Sequence, residues 1–167
     1  NLSTILIGDD KMDNKDIVSK VREFNRFYMP KMNLLGNHYL GSEYSVTEAR
    51  VFFEIYENEG CHAAHIAKVM NIDKSYLSKI IVKYEKEGYV QRISSCKDRR
   101  SYELYLTQKG KDKVKKFIYQ SEKEIESILQ YLSIEEQDLM KNALNIIIEL
   151  LKKGESYNES CTISSKI

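Results

Sequence analysis

The chain has little of what interrupts helices. It holds one proline, Pro30, and seven glycines in 167 residues, which points to a helical protein. Its three cysteines are odd in number and widely spaced. This excludes a disulfide framework and suits a reducing, cytoplasmic setting. No apolar run approaches the roughly 18 residues that cross a bilayer. Nor does a basic region followed by a long apolar core open the chain, so no secretory signal is expected. There is no glycine-rich loop to cradle phosphates, no suggestive pair of carboxylates and no nucleophile–base arrangement, so an enzyme is not expected and no cofactor is called for. The length suits one domain.

Charge is scarce only in the total. The net charge is +1, but residues 60–116 carry 14 Lys and Arg against 6 Asp and Glu, while both flanks are acidic. A basic lobe between acidic ends is the electrostatic footprint of nucleic-acid binding.

The centre of that lobe reads as one amphipathic helix between Asp73, placed as an N-cap, and Gly88, placed as a stop. Leu77, Ile80, Ile81 and Tyr84 follow the spacing of a buried stripe. The opposite face carries Ser75, Ser78, Lys79 and Lys86, with Tyr76 and Lys83 on its flanks and Lys74 at its start. Hydroxyls and long cations are the groups that reach phosphates and base edges. A short helix, Ala63 to Met70, precedes it across a tight Asn71-Ile72 connection, which makes a helix-turn-helix. Two strands follow, Val90–Ser94 and Tyr102–Leu106. In the second, Tyr102, Leu104 and Leu106 face one way and Glu103 and Tyr105 the other. The polar loop between them, residues 95–101, holds Lys97, Arg99 and Arg100. A helix-turn-helix with a basic hairpin is a winged helix, so the fold is read as mainly α with a small β-hairpin wing.

Asp98, Arg100, Ser101, Leu104, Leu106, Thr107 and Gly110 match the wing signature D-x-R-S-x-x-L-x-L-T-x-x-G. On these residues, and on the Asp-Lys-Ser-Tyr-Leu-Ser-Lys run from Asp73, the chain resembles the MarR (multiple antibiotic resistance regulator) family from about Val21 to Lys153. Segments 21–28 and 44–51 resemble a subgroup fused to an acetyltransferase domain. Only a short tail follows Lys153, which fits a stand-alone relative or a trimmed regulatory half. The resemblance implies a homodimeric regulator of transcription, most often a repressor. Its two recognition helices would enter successive major grooves of double-stranded DNA about 34 Å apart, on a pseudo-palindromic operator. Ser75, Tyr76, Ser78 and Lys79 are then candidates for base edges or nearby phosphates. Arg92 and Lys97 are candidates for phosphates, and Arg99 or Arg100 for the adjacent minor groove. The family's pattern gives Asp98 the task of orienting Arg100.

The outer segments read as dimerisation helices, about 12–44 and 108–153, around a winged-helix lobe at about 45–107, with a tail at 154–167. The first helix is expected from about Lys15 to Leu35, with Ile17, Val21, Phe24 and Met32 on one face and a kink or break near Met29 imposed by Pro30. Another runs from about Gln108 to Leu132. Ser133 and Glu136 form a capping box that opens a last helix, apolar on more than one face, as an intertwined dimer requires. Ser45 and Glu48 form a second capping box.

In the family, small aromatic effectors often bind between the lobes. Tyr28, Met32, Phe53 and Tyr56 are candidates to line such a pocket, and core packing explains the same four residues. Cys61, His62 and His65 place a thiol and two imidazoles together, with both histidines on one helix face, so metal sensing competes with an ordinary helix start. Cys96, among wing cations, is a candidate for oxidation. A winged-helix module that binds a protein partner is the alternative to DNA.

Overall fold

The computed structural model describes residues 14–94 and 101–164, with side chains to Gly154. Among these are six α-helices and three strands: α1 (Lys15–Lys31), α2 (Val46–Glu57), β1 (Cys61–His62), α3 (Ala63–Met70), α4 (Lys74–Lys86), β2 (Val90–Ser94), β3 (Tyr102–Leu106), α5 (Gln108–Leu129) and α6 (Ile134–Ser164). The chain divides into two compact units, the first ending at Ser121 and the second starting at Glu122. No helix among the described residues is long and apolar enough to cross a membrane.

Local chemistry explains where the helices start. Ser45 Oγ accepts from the Glu48 N–H at 3.2 Å and Glu48 Oε2 accepts from the Ser45 N–H at 2.9 Å, so the capping box of α2 forms in full. The same reciprocal pair joins Ser133 and Glu136 at the start of α6. Asp73 caps α4 by accepting from the Tyr76 N–H at 2.9 Å.

Three helices stop in the same way. Asn33, Asn71 and Gly88 take left-handed backbone conformations just beyond α1, α3 and α4. In each case the following residue donates back across the last turn: Leu34 to Met29, Ile72 to Ala67 and Tyr89 to Tyr84. This is the Schellman arrangement, which satisfies helix-end carbonyls that otherwise lack partners. Asn71 thereby makes the tight turn between α3 and α4.

Several boundaries differ from the sequence expectation. Helix α1 ends at Lys31, not Leu35, with Pro30 in its last turn. The stop comes from Asn33, whose side chain tolerates the left-handed region, rather than from a kink at Met29. Helix α5 ends at Leu129, not Leu132. The segment expected as a tail from 154 continues helix α6 to Ser164. The wing is not a hairpin alone. Cys61 and His62 form a short strand that pairs antiparallel with β3, giving a three-stranded sheet in the order β1-β3-β2. Two residues are too few to show an alternating pattern, so nothing local marked them.

The core lies in the first unit. Phe52, Ile55, Ile66, Leu77, Ile80, Ile81, Tyr84, Leu104, Leu106, Val114 and Phe117 are buried together. The stripe expected on α4 is the buried face observed. Phe52 stacks on Tyr84 with ring centroids 3.9 Å apart, and Tyr44, Tyr89 and Phe117 surround the pair mostly edge-on. The outer helices differ. Helix α1 has no buried residue and leaves Ile17, Val18, Val21, Phe24 and Phe27 exposed. In the second unit α6 exposes Leu139, Ile146, Ile147, Ile148, Leu150 and Leu151.

Candidate nucleic-acid interface

Burying Leu77, Ile80, Ile81 and Tyr84 against the core turns the other side of α4 outward. Lys74, Ser75, Tyr76, Ser78 and Lys79 are all exposed there. Five sequence candidates thus share one helix end and one solvent-facing surface. The first turn of α4 also offers the positive end of the helix dipole to an incoming anion.

Beside this surface is a cleft of about 280 Å³ between the start of α3, helix α4 and the sheet. Its walls include His62, Lys74, Ser78, Arg92, Ser101 and Tyr102. A lysine, an arginine, hydroxyls and an imidazole facing one cleft can take up a phosphate oxygen. Arg92 is also paired with Glu85 at 2.9 Å, with both side chains about one-third exposed. That pair ties β2 to α4, so Arg92 holds the cleft wall in place while its charge stays at the surface. Lys97, Asp98, Arg99 and Arg100 lie outside the described residues, as does Cys96.

Lys83 has a partner within the chain. Its Nζ lies 2.8 Å from Glu48 Oε1 and 4.7 Å from the centre of the Tyr44 ring. It turns away from the exposed face toward the start of α2, because position 83 flanks the buried stripe on the side where α2 packs. The ammonium is held above its ordinary value, first by the hydrogen bond to Glu48. For Glu48, burial disfavours ionisation, but the Lys83 hydrogen bond and the Ser45 N–H outweigh it and its carboxyl titrates below the usual value. Near neutral pH both partners are therefore charged. Four residues further on, at the C-cap of α4, Glu87 Oε2 accepts a hydrogen bond from the buried Tyr44 hydroxyl at 2.9 Å. Glu48 and Tyr44 were missed as parts of this surface. A capping box accounts for Glu48 by itself, and nothing in the sequence says that its second oxygen reaches a lysine 35 positions away.

The four expected effector residues have different surroundings. Phe53 lines a second cleft of about 230 Å³ with Leu34, Tyr39, Val46, Ala49, Arg50 and Ser121. Tyr28 instead stacks on Phe24 within α1, with centroids 5.1 Å apart. Met32 caps the end of α1, and Tyr56 packs on the core. The group of Cys61, His62 and His65 is also rearranged. His62 belongs to β1 and its ring Nδ1 lies 3.0 Å from the Tyr102 carbonyl oxygen, so the two histidines do not share a helix face. Burial pushes the half-buried Cys61 thiol above its usual value, which works against the thiolate that binds metal. Among the described residues no three His, Cys, Asp or Glu side chains cluster as metal ligands do.

Comparison with known proteins places this lobe. The family model described as MarR matches residues 44–102. The HTH-type transcriptional regulator BilQ of Clostridioides difficile is 28% identical over 71 residues, 41% of this chain and 48% of that one, so the match spans about half of that relative. The HTH-type transcriptional regulator YfiV of Bacillus subtilis is 24% identical over 153 residues, 89% of this chain and 96% of that one. The crystal structure of FabT from Streptococcus pneumoniae in complex with DNA superposes with a TM-score of 0.63 at 22% identity, covering 84% of this chain and 99% of that chain. These relatives are named as transcriptional regulators, not enzymes. The residues that the family model covers hold α2, β1, α3, α4 and β2, so over this lobe the chain is similar to the MarR family.

Proposed function

We propose that the chain is a sequence-specific double-stranded DNA-binding regulator of transcription, a repressor that acts as a homodimer on a pseudo-palindromic operator. The observation that carries this reading is the outward face of α4, where Ser75, Tyr76, Ser78 and Lys79 stand exposed beside a cleft walled by Lys74 and Arg92. Serine and tyrosine hydroxyls among cations suit a groove, where phosphate neutralisation supplies affinity and base edges supply selectivity. The FabT structure with DNA supports it by likeness of fold. The dimer is supported by the apolar side chains that α1 and α6 each leave in solvent. Aliphatic rows of that extent on two helices are the kind of surface that a second copy covers. A single-ring aromatic would fit the cleft beside Phe53, and its binding would release the duplex by shifting the population toward an incompetent spacing of the two α4 helices.

Titration of the protein against a duplex it selects from a random-sequence library, at two salt concentrations, tests the proposal. Two chains per duplex and an affinity that falls steeply with salt are expected. Lys79→Ala and Arg100→Ala should each weaken binding by about tenfold while leaving the thermal midpoint in place. Salt-independent or unselective binding would instead favour a winged helix that docks a protein partner.

A further inference from the structure

The start of α2 grips α4 at two points four residues apart on each segment. Tyr44 donates to Glu87, and Glu48 accepts from Lys83, at 2.9 and 2.8 Å. Residues i and i+4 lie on one helix face, so both links leave α4 on the same side. Both also act on its C-terminal half, leaving Ser75 to Lys79 clear. The Glu48 carboxylate is used twice: Oε2 closes the capping box of α2 and Oε1 holds Lys83. The helix start and the cross-link therefore share one side chain. Lys83 is 39% exposed and Glu48 17%, so the pair is partly withdrawn from water. A carboxylate so placed loses much if its cation is removed, whereas fully exposed pairs are worth little.

We propose that Glu48 is a positioning residue for operator binding: through Lys83 it sets the angle at which α4 presents its exposed face. This rests on the regulator reading above. Lys83, although a cation on the recognition helix, then acts on DNA only through Glu48 and not by touching phosphate. The alternative is that Lys83 swings out to a phosphate when the duplex arrives. The two make opposite predictions.

The test compares wild type with Glu48→Gln, Lys83→Met and the double variant on the duplex that the wild type selects, across a salt series. Glutamine retains an oxygen for the Ser45 N–H but loses the charge; methionine retains most of the lysine stem. Positioning predicts that each single variant binds roughly tenfold more weakly. It also predicts that the double variant is no weaker than either single one, and that the slope of affinity against salt stays as in wild type. Direct phosphate contact predicts that Lys83→Met lowers the salt slope by about one, while Glu48→Gln binds as well or better because it frees the cation. That pattern overturns the proposal, as do variants indistinguishable from wild type. Stoichiometric titration counts the folded fraction, so an unfolded variant reads as missing sites rather than weaker ones, and Lys83→Met still decides if Glu48→Gln does not fold. If the wild type selects no duplex at all, the regulator reading fails and this inference falls with it.

Discussion

Replacing Gly110 with alanine is expected to lower the thermal midpoint of the winged-helix lobe by about 10 °C, the equivalent of about 3 kcal/mol for overpacking at this chain length. The sign runs against helix propensity, since Gly110 lies in the first turn of α5 and alanine is normally the better helix former by about 1 kcal/mol. Space decides the outcome. A Cβ at Gly110 would lie 2.2 Å from the Tyr89 carbonyl oxygen and 3.2 Å from Leu106 Cδ2. The carbonyl cannot retreat cheaply because it accepts from the Thr107 N–H at 2.9 Å. Thr107 ties the corner further. Its hydroxyl donates to the Gly88 carbonyl at 2.7 Å and accepts from the Gly110 N–H at 3.1 Å. The L-T-x-x-G part of the wing signature is thus a packing device that seats α5 against the turn between α4 and β2. Differential scanning calorimetry checks this, and a midpoint within about 2 °C of wild type would refute the clash. Loss of DNA binding in this variant would track the unfolded fraction, in contrast to Lys79→Ala, where it would not.

Phe52→Ala is expected to cost about 4 kcal/mol, as large aromatic-to-alanine changes in cores do. Phe52 is fully buried and sits where α2, α4 and α5 meet, stacked on Tyr84 and edge-on to Tyr44 and Tyr89. Its removal would leave a cavity among rings held by three helices, which collapse poorly around it. Urea denaturation should show the midpoint falling with little change in slope. The neighbouring Tyr84 should behave in the opposite way. Its hydroxyl is buried without a hydrogen-bond partner among the described residues, and burial raises the titration of that phenol well above its ordinary range. Tyr84→Phe removes an unsatisfied donor and retains the ring, so stability should hold or rise by about 1 kcal/mol. A clear loss of stability would show that the hydroxyl is satisfied by bound water.

Much of the lobe was legible because its signals are local. Asp73 caps α4 because a carboxylate one residue ahead of a helix reaches an amide three positions on, whatever the rest of the chain does. The same holds for Ser45 with Glu48 and Ser133 with Glu136. The alternation in Tyr102–Leu106 marked a strand because one face had to be buried. Boundaries were less legible where the stopping residue was an asparagine. Asn33 ends α1 after Lys31, whereas Pro30, a more conspicuous breaker, fits within the last turn.

The candidate site divides along the same line. Ser75, Tyr76, Ser78 and Lys79 were legible as an exposed face, because burying one side of a helix leaves the other in solvent. Lys83 was not, since its partner lies on α2 and meets it only when the two helices pack. His62 was read as part of a helix, and only the pairing of Cys61 with Leu104 across 43 positions makes it a strand residue in the cleft wall.

The sequence by itself thus determined the caps, the stop of α4 at Gly88 and the buried stripe of α4, because period and capping chemistry act over a few residues. Only the tertiary structure decided that Lys83 answers to Glu48, that Tyr44 holds Glu87, that β1 completes the sheet and that Gly110 has no room for a methyl. Each depends on a distance between residues remote in the chain, and such distances exist only once the core has packed.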